Sequence, residues 1–354
     1  MTKPFLIYGA YGYTGKLIAR MAVERGMRPV LAGRNATQLR LLGLELGLDH
    51  RAFSLDDPTA MDEALRDYSL VLHCAGPFIH TAAPMAEACI RTQTDYLDIT
   101  GEIAVFETLA MSKYSLRAFD ARVMLMPGVG FDVVPTDCLA LHLAERLPSA
   151  THLRLAFRGL GGGVSRGTAK SGIEHMHQGG WVRRNGKLTP AGVKSMMFDF
   201  GRGPKKAVRI PWGDVSTAWY STEIPNIEVY SAGHAALLPL MRLAPLLKGI
   251  YKQRWFKDFM YRQIDKRFPP GPSAEMNQTG KSVMYGEAWD EFGNRIAARQ
   301  VTPEGYQLTA LTSLAIVQKL LDGHPKFNGF NTPAQVFGPD LIMEIDGVTR
   351  ENVA

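Results

Sequence analysis

Near the start of the chain stands GAYGYTG, with glycines at positions 9, 12 and 15. At a turn from strand to helix, this pattern suits an anion. Glycine accepts positive φ, lets a pyrophosphate approach bare backbone, and leaves the first N–H groups of the helix facing the charge. Gly9 ends the apolar run FLIYG, Gly12 sits at the point of approach, and Gly15 lets the helix lie close to the sheet. The best-known dinucleotide fingerprint spaces its first two glycines by two; a spacing of three lengthens the loop and keeps the mechanism. Taken alone, such glycines also fit a tight turn with no ligand. Their place after a first strand, at the head of a series of strand–helix units, favours a dinucleotide.

The end of the second strand selects the cofactor. An acid there would bind the ribose 2′-hydroxyl of NAD, but the sequence reads AGRN, with Arg34 and then Asn35. A guanidinium attracts a 2′-phosphate and bonds it bidentately, so NADP is expected. A later strand, LVLHCAGPF, ends in small residues and Pro77, as close approach to a nicotinamide ribose requires. Cys74 within it reads as a nucleophile or as an inert buried thiol. Its neighbour His73 points to the opposite strand face, which favours the inert reading.

A reductase also needs a proton donor. The segment SGIEHMHQGG offers Glu174, His175 and His177, with Lys170 one turn earlier. His175 and His177 face apart on a helix and no third ligand is evident, so no metal is expected. His175 is one candidate acid; Asp132 and Glu102 are others. Asp137 reads equally as an acid in the first turn of a helix. None of the 12 tyrosines has a lysine four residues on, which argues against the Tyr-x-x-x-Lys pair of short-chain reductases.

The elements that must position these groups follow from periodicity. Over the first third of the chain, apolar runs (Phe5–Gly9, Pro29–Gly33, Arg51–Leu55, Leu70–Gly76, YLDIT and RVMLMPG) alternate with amphipathic helical patterns. Alternation with short connections implies a doubly wound parallel sheet with helices on both faces. After PGVGFDVVPTD the texture changes: a helix over PTDCLALHLAERLP, a strand over HLRLAFRG, a glycine-rich stretch, and β character in VSTAWYSTEI and NIEVYSA. A hairpin turning at DEFGN and a last helix over EGYQLTALTSLAIVQKLLDG complete it. The expected division is a nucleotide-binding domain over residues 1–135 and an α+β substrate and dimerisation domain over 136–324. A tail, 325–354, is expected to pack back on the first.

Composition is that of an ordinary soluble protein, with 46% hydrophobic and 21% charged residues among 354. A net charge of +6 suits an anionic cofactor and is thin support for nucleic acid. The 3 cysteines are scattered, no secretory signal or membrane-spanning stretch is visible, and a cytoplasmic location is expected. The stretch over residues 235–250 is apolar but too short to span a bilayer. Leu246–Phe268 interleaves Lys and Arg with aromatic residues; a lid or dimer helix and a peripheral membrane contact are both compatible with it.

GAYGYTGKLIA, VLAGRN, VLHCAGPF, DYLDITGE and PGVGFDVVPTD together resemble the saccharopine dehydrogenase-like family, in particular its trans-acting enoyl reductase branch. The resemblance is strong over the first 140 residues and looser through GTAKSGIEHM and NTPAQVFG. It implies a Rossmann domain, a second domain, a substrate held between them, and hydride transfer from NADPH. By position, it implies that Gly9, Ala10, Tyr11, Gly12, Tyr13, Thr14 and Gly15 hold the pyrophosphate, and Arg34 and Asn35 the 2′-phosphate. Cys74, Ala75, Gly76 and Pro77 would lie along the nicotinamide ribose, with Asp98, Thr100, Gly101 and Glu102 opposite. Formation of saccharopine needs clustered arginines for several carboxylates, and Arg154, Arg158 and Arg166 are available; Arg154 and Arg158 also fit a solvated strand face. All five tryptophans lie in the second half, as an apolar substrate or a dimer interface would require. The expected activity is therefore NADPH-dependent reduction of C=C or C=N in an acyl or apolar small molecule by a homodimer. The alternatives are an amino-acid imine reductase of the saccharopine or opine type, and a non-catalytic NADPH-binding or lipid-surface scaffold.

Overall fold

The computed structural model describes residues 4–175, 180–233, 249, 253–324 and 326–353. They form two compact units, Met1–Asp132 with Tyr306–Val336, and Val133–Gly305 with Phe337–Ala354. The last long helix, Gly305–Leu321, lies almost wholly in the first unit, and the tail divides between the two.

The first unit alternates β1 (Phe5–Tyr8), α1 (Tyr13–Glu24), β2 (Val30–Gly33), α2 (Ala36–Leu46), β3 (His50–Ala52), α3 (Pro58–Leu65), β4 (Leu70–His73), α4 (Phe78–Thr92), β5 (Asp95–Asp98), α5 (Ile103–Ala110), α6 (Ser112–Asp120) and β6 (Met124–Met126). Strands β1, β4, β5 and β6 are buried along their whole length; β1 and β6 read as unbroken apolar runs, while β4 ends in His73 and β5 is bounded by Asp95 and Asp98. The parallel sheet has the order β3-β2-β1-β4-β5-β6, with Gly329–Phe330 added beside β6. Leu6 of β1 stands opposite Val30 on one side and Val71 on the other. The order reverses between β1 and β4, so the loops after those two strands diverge and leave a crevice for a ligand. Helix starts are set locally. Asn35 accepts from the Gln38 N–H and Asp57 from that of Ala60, with Pro58 in the first turn of α3.

The second unit continues with α7 (Val134–Arg146), β7 (His152–Leu160), α8 (Arg166–His175), β8 (Gly180–Arg184), β9 (Lys187–Ala191), β10 (Ser195–Asp199), β11 (Pro204–Arg209), α9 (Asp214–Thr222), β12 (Asn226–Ser231), α10 (Arg254–Arg267), α11 (Ala274–Thr279), β13 (Lys281–Trp289) and β14 (Arg295–Pro303). Its sheet runs β10-β11-β12-β7-β13-β14, ending on the strand Thr349–Val353. The hairpin expected at DEFGN joins β13 to β14. α7 lies against one face, and the hairpin β10–β11 folds over the other. There Phe198 sits 5.1 Å from the Tyr230 ring and 5.8 Å from that of Tyr285, and Arg299 donates to the Asp199 carbonyl.

One local expectation is corrected. VSTAWYSTEI is mostly the helix α9 and not a strand. Val215 and Ala218 are buried, and the Thr222 hydroxyl donates to the Ala218 carbonyl four residues back. Burial against neighbouring elements overrides the β preference of Val, Thr, Trp and Tyr. α4 begins at Phe78, before its internal Pro84, because a distant carboxylate caps it. The helical stretch after β5 breaks into α5 and α6 at Met111.

Gly286 of β13 is required by packing. A Cβ there would lie 2.8 Å from Leu143 Cδ1 and 3.1 Å from Leu139 Cδ2 of α7. Gly286→Val should therefore lower stability by about 1–3 kcal/mol through overpacking. In urea it should lower the unfolding midpoint without changing the slope; an unchanged midpoint contradicts this packing.

Candidate functional site: a dinucleotide crevice with three acids

The turn after β1 is held by its own backbone. The Gly9 and Ala10 N–H groups both donate to the Ala32 carbonyl, at 2.8 and 3.1 Å, and Gly12 N–H donates to the Gly9 carbonyl. Gly9 has φ +81°, and a Cβ on it would lie 2.9 Å from Ala75 Cβ. A Cβ on Gly15 would lie 2.3 Å from the Gly9 oxygen. These two glycines are there because backbone meets backbone. Gly12 caps α1 without a side chain, so the first turn of α1, Tyr13 to Gly15, offers its N–H groups to an anion. The Tyr13 ring stands edge-on to that of Tyr306, 5.1 Å away, on a helix that sequence reasoning did not connect to the turn.

Beside this turn, Arg34 opens onto a recess of about 530 Å³ lined by Tyr11, Arg34, Asn35, Ala36 and Thr37. The Tyr11 ring covers Gly33, where a Cβ would come within 2.6 Å of it. The Asn35 side chain caps α2, so its oxygen is already engaged at 3.1 Å from the Gln38 N–H. What Asn35 brings to an anion is the helix start itself, with Ala36 and Thr37 in the first turn. Those two residues were missed, although the Asn35–Gln38 spacing is a capping signal. Uncapped amides at one helix, a guanidinium at the start of another and glycine clearance between them fit a dinucleotide carrying a 2′-phosphate.

At the end of β4, Cys74 Sγ points to the Leu72 carbonyl at 3.9 Å, and its surroundings push the thiol pKa up. The reason is desolvation, with Asp98 adding a smaller effect. His73 is no base for it. The ring is buried among Tyr8, Phe78 and Tyr96, bonds Thr81 Oγ1 at 3.0 Å, and is held neutral by burial, with a pKa near 3. The inert reading of Cys74 fits this geometry, while Ala75, Gly76 and Pro77 form the small-residue loop facing the turn after β1.

Three acids follow, and their environments separate their roles. Asp98 is buried at the end of β5. It accepts from the Tyr96 hydroxyl at 2.6 Å, the Thr100 N–H at 2.9 Å and the Gly128 N–H at 2.8 Å. Burial pushes its pKa up to about 7 against the pull of those bonds, and the carboxyl serves the fold rather than an open face. Thr100 is buried with it, accepting from the Glu102 N–H at 3.1 Å. Glu102 is also buried, and its two oxygens take the N–H groups of Phe78 and Ile79 at 2.9 and 2.7 Å. It is the missing cap of α4. Asp132 differs. It lies over Gly101, where a Cβ would come within 2.6 Å of Oδ2, and its carboxyl makes no hydrogen bond or ion pair among the described residues. Desolvation first, and then the charge of Glu102, push its pKa up to about 7.

The other candidates lie in the second unit. Asp137 sits in the first turn of α7 and accepts from the Ser221 hydroxyl at 2.6 Å, a structural role. His175 ends α8, and its side chain, like that of Glu174, lies outside the described residues, as does His177 altogether. Lys170 pairs with Asp265 at 2.8 Å. Arg154 is committed to Glu287, with the Trp289 ring 4.7 Å from its guanidinium; this corrects the reading of a solvated face. Arg166 donates to the Phe268 carbonyl.

A parallel sheet with a glycine turn at its switch point and a recess beside Arg34 define a first unit of Rossmann type, joined in the chain to a second sheet unit. Residues 5–126 match the family model described as saccharopine dehydrogenase NADP binding domain. The first unit is therefore similar to the NADP-binding domain of saccharopine dehydrogenases. It is 30% identical over 148 residues to the trans-acting enoyl reductase of Mycobacterium tuberculosis, covering 40% of this chain and 35% of that protein. To the trans-acting enoyl reductase of Mycobacterium leprae it is 32% identical over 150 residues, with the same coverage. The chain thus spans about a third of the length of these curated relatives. Apo saccharopine dehydrogenase (L-Glu forming) from Saccharomyces cerevisiae shares the fold, with a TM-score of 0.63, 12% identity, and 99% of this chain and 100% of that one covered.

The acids make opposite predictions for stability. Asp98→Ala strands one buried hydroxyl and two buried amides and should cost about 2–4 kcal/mol; Glu102→Ala should cost about 1–2 kcal/mol through loss of the α4 cap. Asp132 holds its proton more tightly in the folded chain than in the unfolded one. Its contribution to stability is therefore full at low pH and lost as pH rises from about 4 to about 7. Relative to the native chain, Asp132→Asn should gain thermal stability between pH 5 and pH 8. Melting curves that shift in parallel across that range would contradict this.

Proposed function

We propose that this chain is an NADPH-dependent reductase of C=C or C=N bonds in an acyl or otherwise apolar substrate, with Asp132 as its proton donor. The observation that carries the reading is the unpartnered Asp132 carboxyl after β6, at the same sheet edge as the dinucleotide turn and the Arg34 recess. Bound NADPH would supply the hydride. The first turn of α1 binds the pyrophosphate, and Arg34 with the first turn of α2 binds the 2′-phosphate. Asp132 gives its proton to the atom next to the carbon that gains hydride, and recovers it from solvent. Glu102, fixed on α4, places a negative charge nearby and so helps to keep that proton in place near neutral pH. The curated relatives named as enoyl reductases support C=C reduction, and the aromatic second half of the sequence supports an apolar substrate.

The fold likeness to an L-Glu-forming saccharopine dehydrogenase keeps amino-acid imines as a second reading. Against it, of the three arginines named for substrate carboxylates, Arg154 is paired with an acid and Arg166 with a backbone carbonyl, which leaves Arg158. NADPH oxidation with an enoyl thioester, and none with glutamate plus a semialdehyde, supports the first reading; the converse result replaces it.

Two variants test the residue roles. Arg34→Asp should reverse the preference for NADPH over NADH in fluorescence titrations, and unchanged relative affinities would refute its role. Asp132→Asn should lower kcat by about 10²–10⁴-fold while NADPH still binds. The native rate should fall as pH rises above about 7, because the protonated form is the active one.

A further inference from the structure

The helix α10 presents a face that the proposed chemistry does not use. Successive residues of a helix turn by about 100°, so Trp255, Phe259, Arg262 and Lys266 fall within about 60° of arc. Ile264, 4% exposed, stands directly opposite and is the side by which α10 is held. On that side Lys170 of α8 pairs with Asp265 and lies 5.5 Å from the centre of the Tyr261 ring. The outward stripe is open: Trp255 is 63% and Phe259 48% exposed. Arg262 bonds only the Asp258 carbonyl of its own helix, and Lys266 makes no hydrogen bond or ion pair among the described residues.

Charge limits what can cover this stripe. From Arg254 to Arg267 the helix carries five basic and two acidic residues. Both acids have partners, Asp258 in Arg254 at 3.9 Å and Asp265 in Lys170. Residues 235–257 contain Arg242, Lys248, Lys252, Arg254 and Lys257 and no acid. Bringing a second copy onto the helix would set like charge against like. An anionic surface neutralises it, while Trp and Phe enter the boundary between headgroups and acyl chains. Aromatic and basic side chains mixed on one open stripe are the composition of a helix lying in a membrane interface. Among the described residues no helix is long and apolar enough to cross a membrane, so any such contact made by α10 is peripheral.

We propose that α10 docks the protein onto an anionic phospholipid bilayer through Trp255, Phe259, Arg262 and Lys266. The inference does not rest on the reductase reading. The test uses the full chain in sedimentation with vesicles of phosphatidylcholine alone and of phosphatidylcholine mixed with phosphatidylglycerol. Binding is expected on the mixed vesicles, weak on the neutral ones, and lost as salt is raised. Arg262→Glu with Lys266→Glu, and separately Trp255→Ala with Phe259→Ala, should each reduce it at least about tenfold. NADPH affinity and circular dichroism of both variants should match the native chain, which separates loss of docking from loss of fold. No binding to mixed vesicles, or equal binding to both kinds, overturns the proposal. So does a change of oligomeric state in the variants without any vesicle binding, which would make the stripe a protein contact.

Discussion

The carboxylate of Glu102 is the contact on which the site depends. It reaches from the loop after β5 to the first two N–H groups of α4, 23 and 24 residues away in the chain. Through it the helix start is satisfied although its N-cap position, Pro77, offers no side chain. The small-residue loop Cys74–Pro77 is thereby tied at its far end, and Ala75 stays packed on Gly9. The same charge is felt by Asp132, so one ion pins a loop and biases a proton.

Asp98 does the complementary work one step earlier. Its three hydrogen bonds tie β5 to the loop after β6, the loop that ends in Asp132. Asp98 thus ties down the loop that carries Asp132, Glu102 acts on Asp132 through its charge, and of the three only Asp132 makes no hydrogen bond or ion pair among the described residues. This division is typical of sites in which one group is tuned by neighbours that do not react.

The sequence made part of this legible. The glycine turn, Arg34 and the doubly wound order follow from local spacing and periodicity, because backbone clearance and strand–helix alternation act over a few residues. The separate tasks of Asp98, Glu102 and Asp132 were not legible, since they depend on partners such as Gly128 and Phe78 that only the fold brings near. For the same reason α9 looked like a strand: its residue types favour β, and burial against the rest of the second unit decides otherwise. Asn35 lines the recess, but its side chain caps a helix, a role its spacing to Gln38 could have revealed.

The central claim is that burial, and then the nearby charge of Glu102, raise the Asp132 carboxyl far enough that a large fraction of it stays protonated near neutral pH. The most direct measurement is a carbon-13 NMR titration of the Asp132 carboxyl in the native chain and in Glu102→Gln. The account predicts a midpoint near 7 in the native chain and a lower one in the variant, still above the ordinary carboxylate range because burial is the larger cause. A native midpoint near 4, or one that Glu102→Gln leaves unmoved, would contradict it.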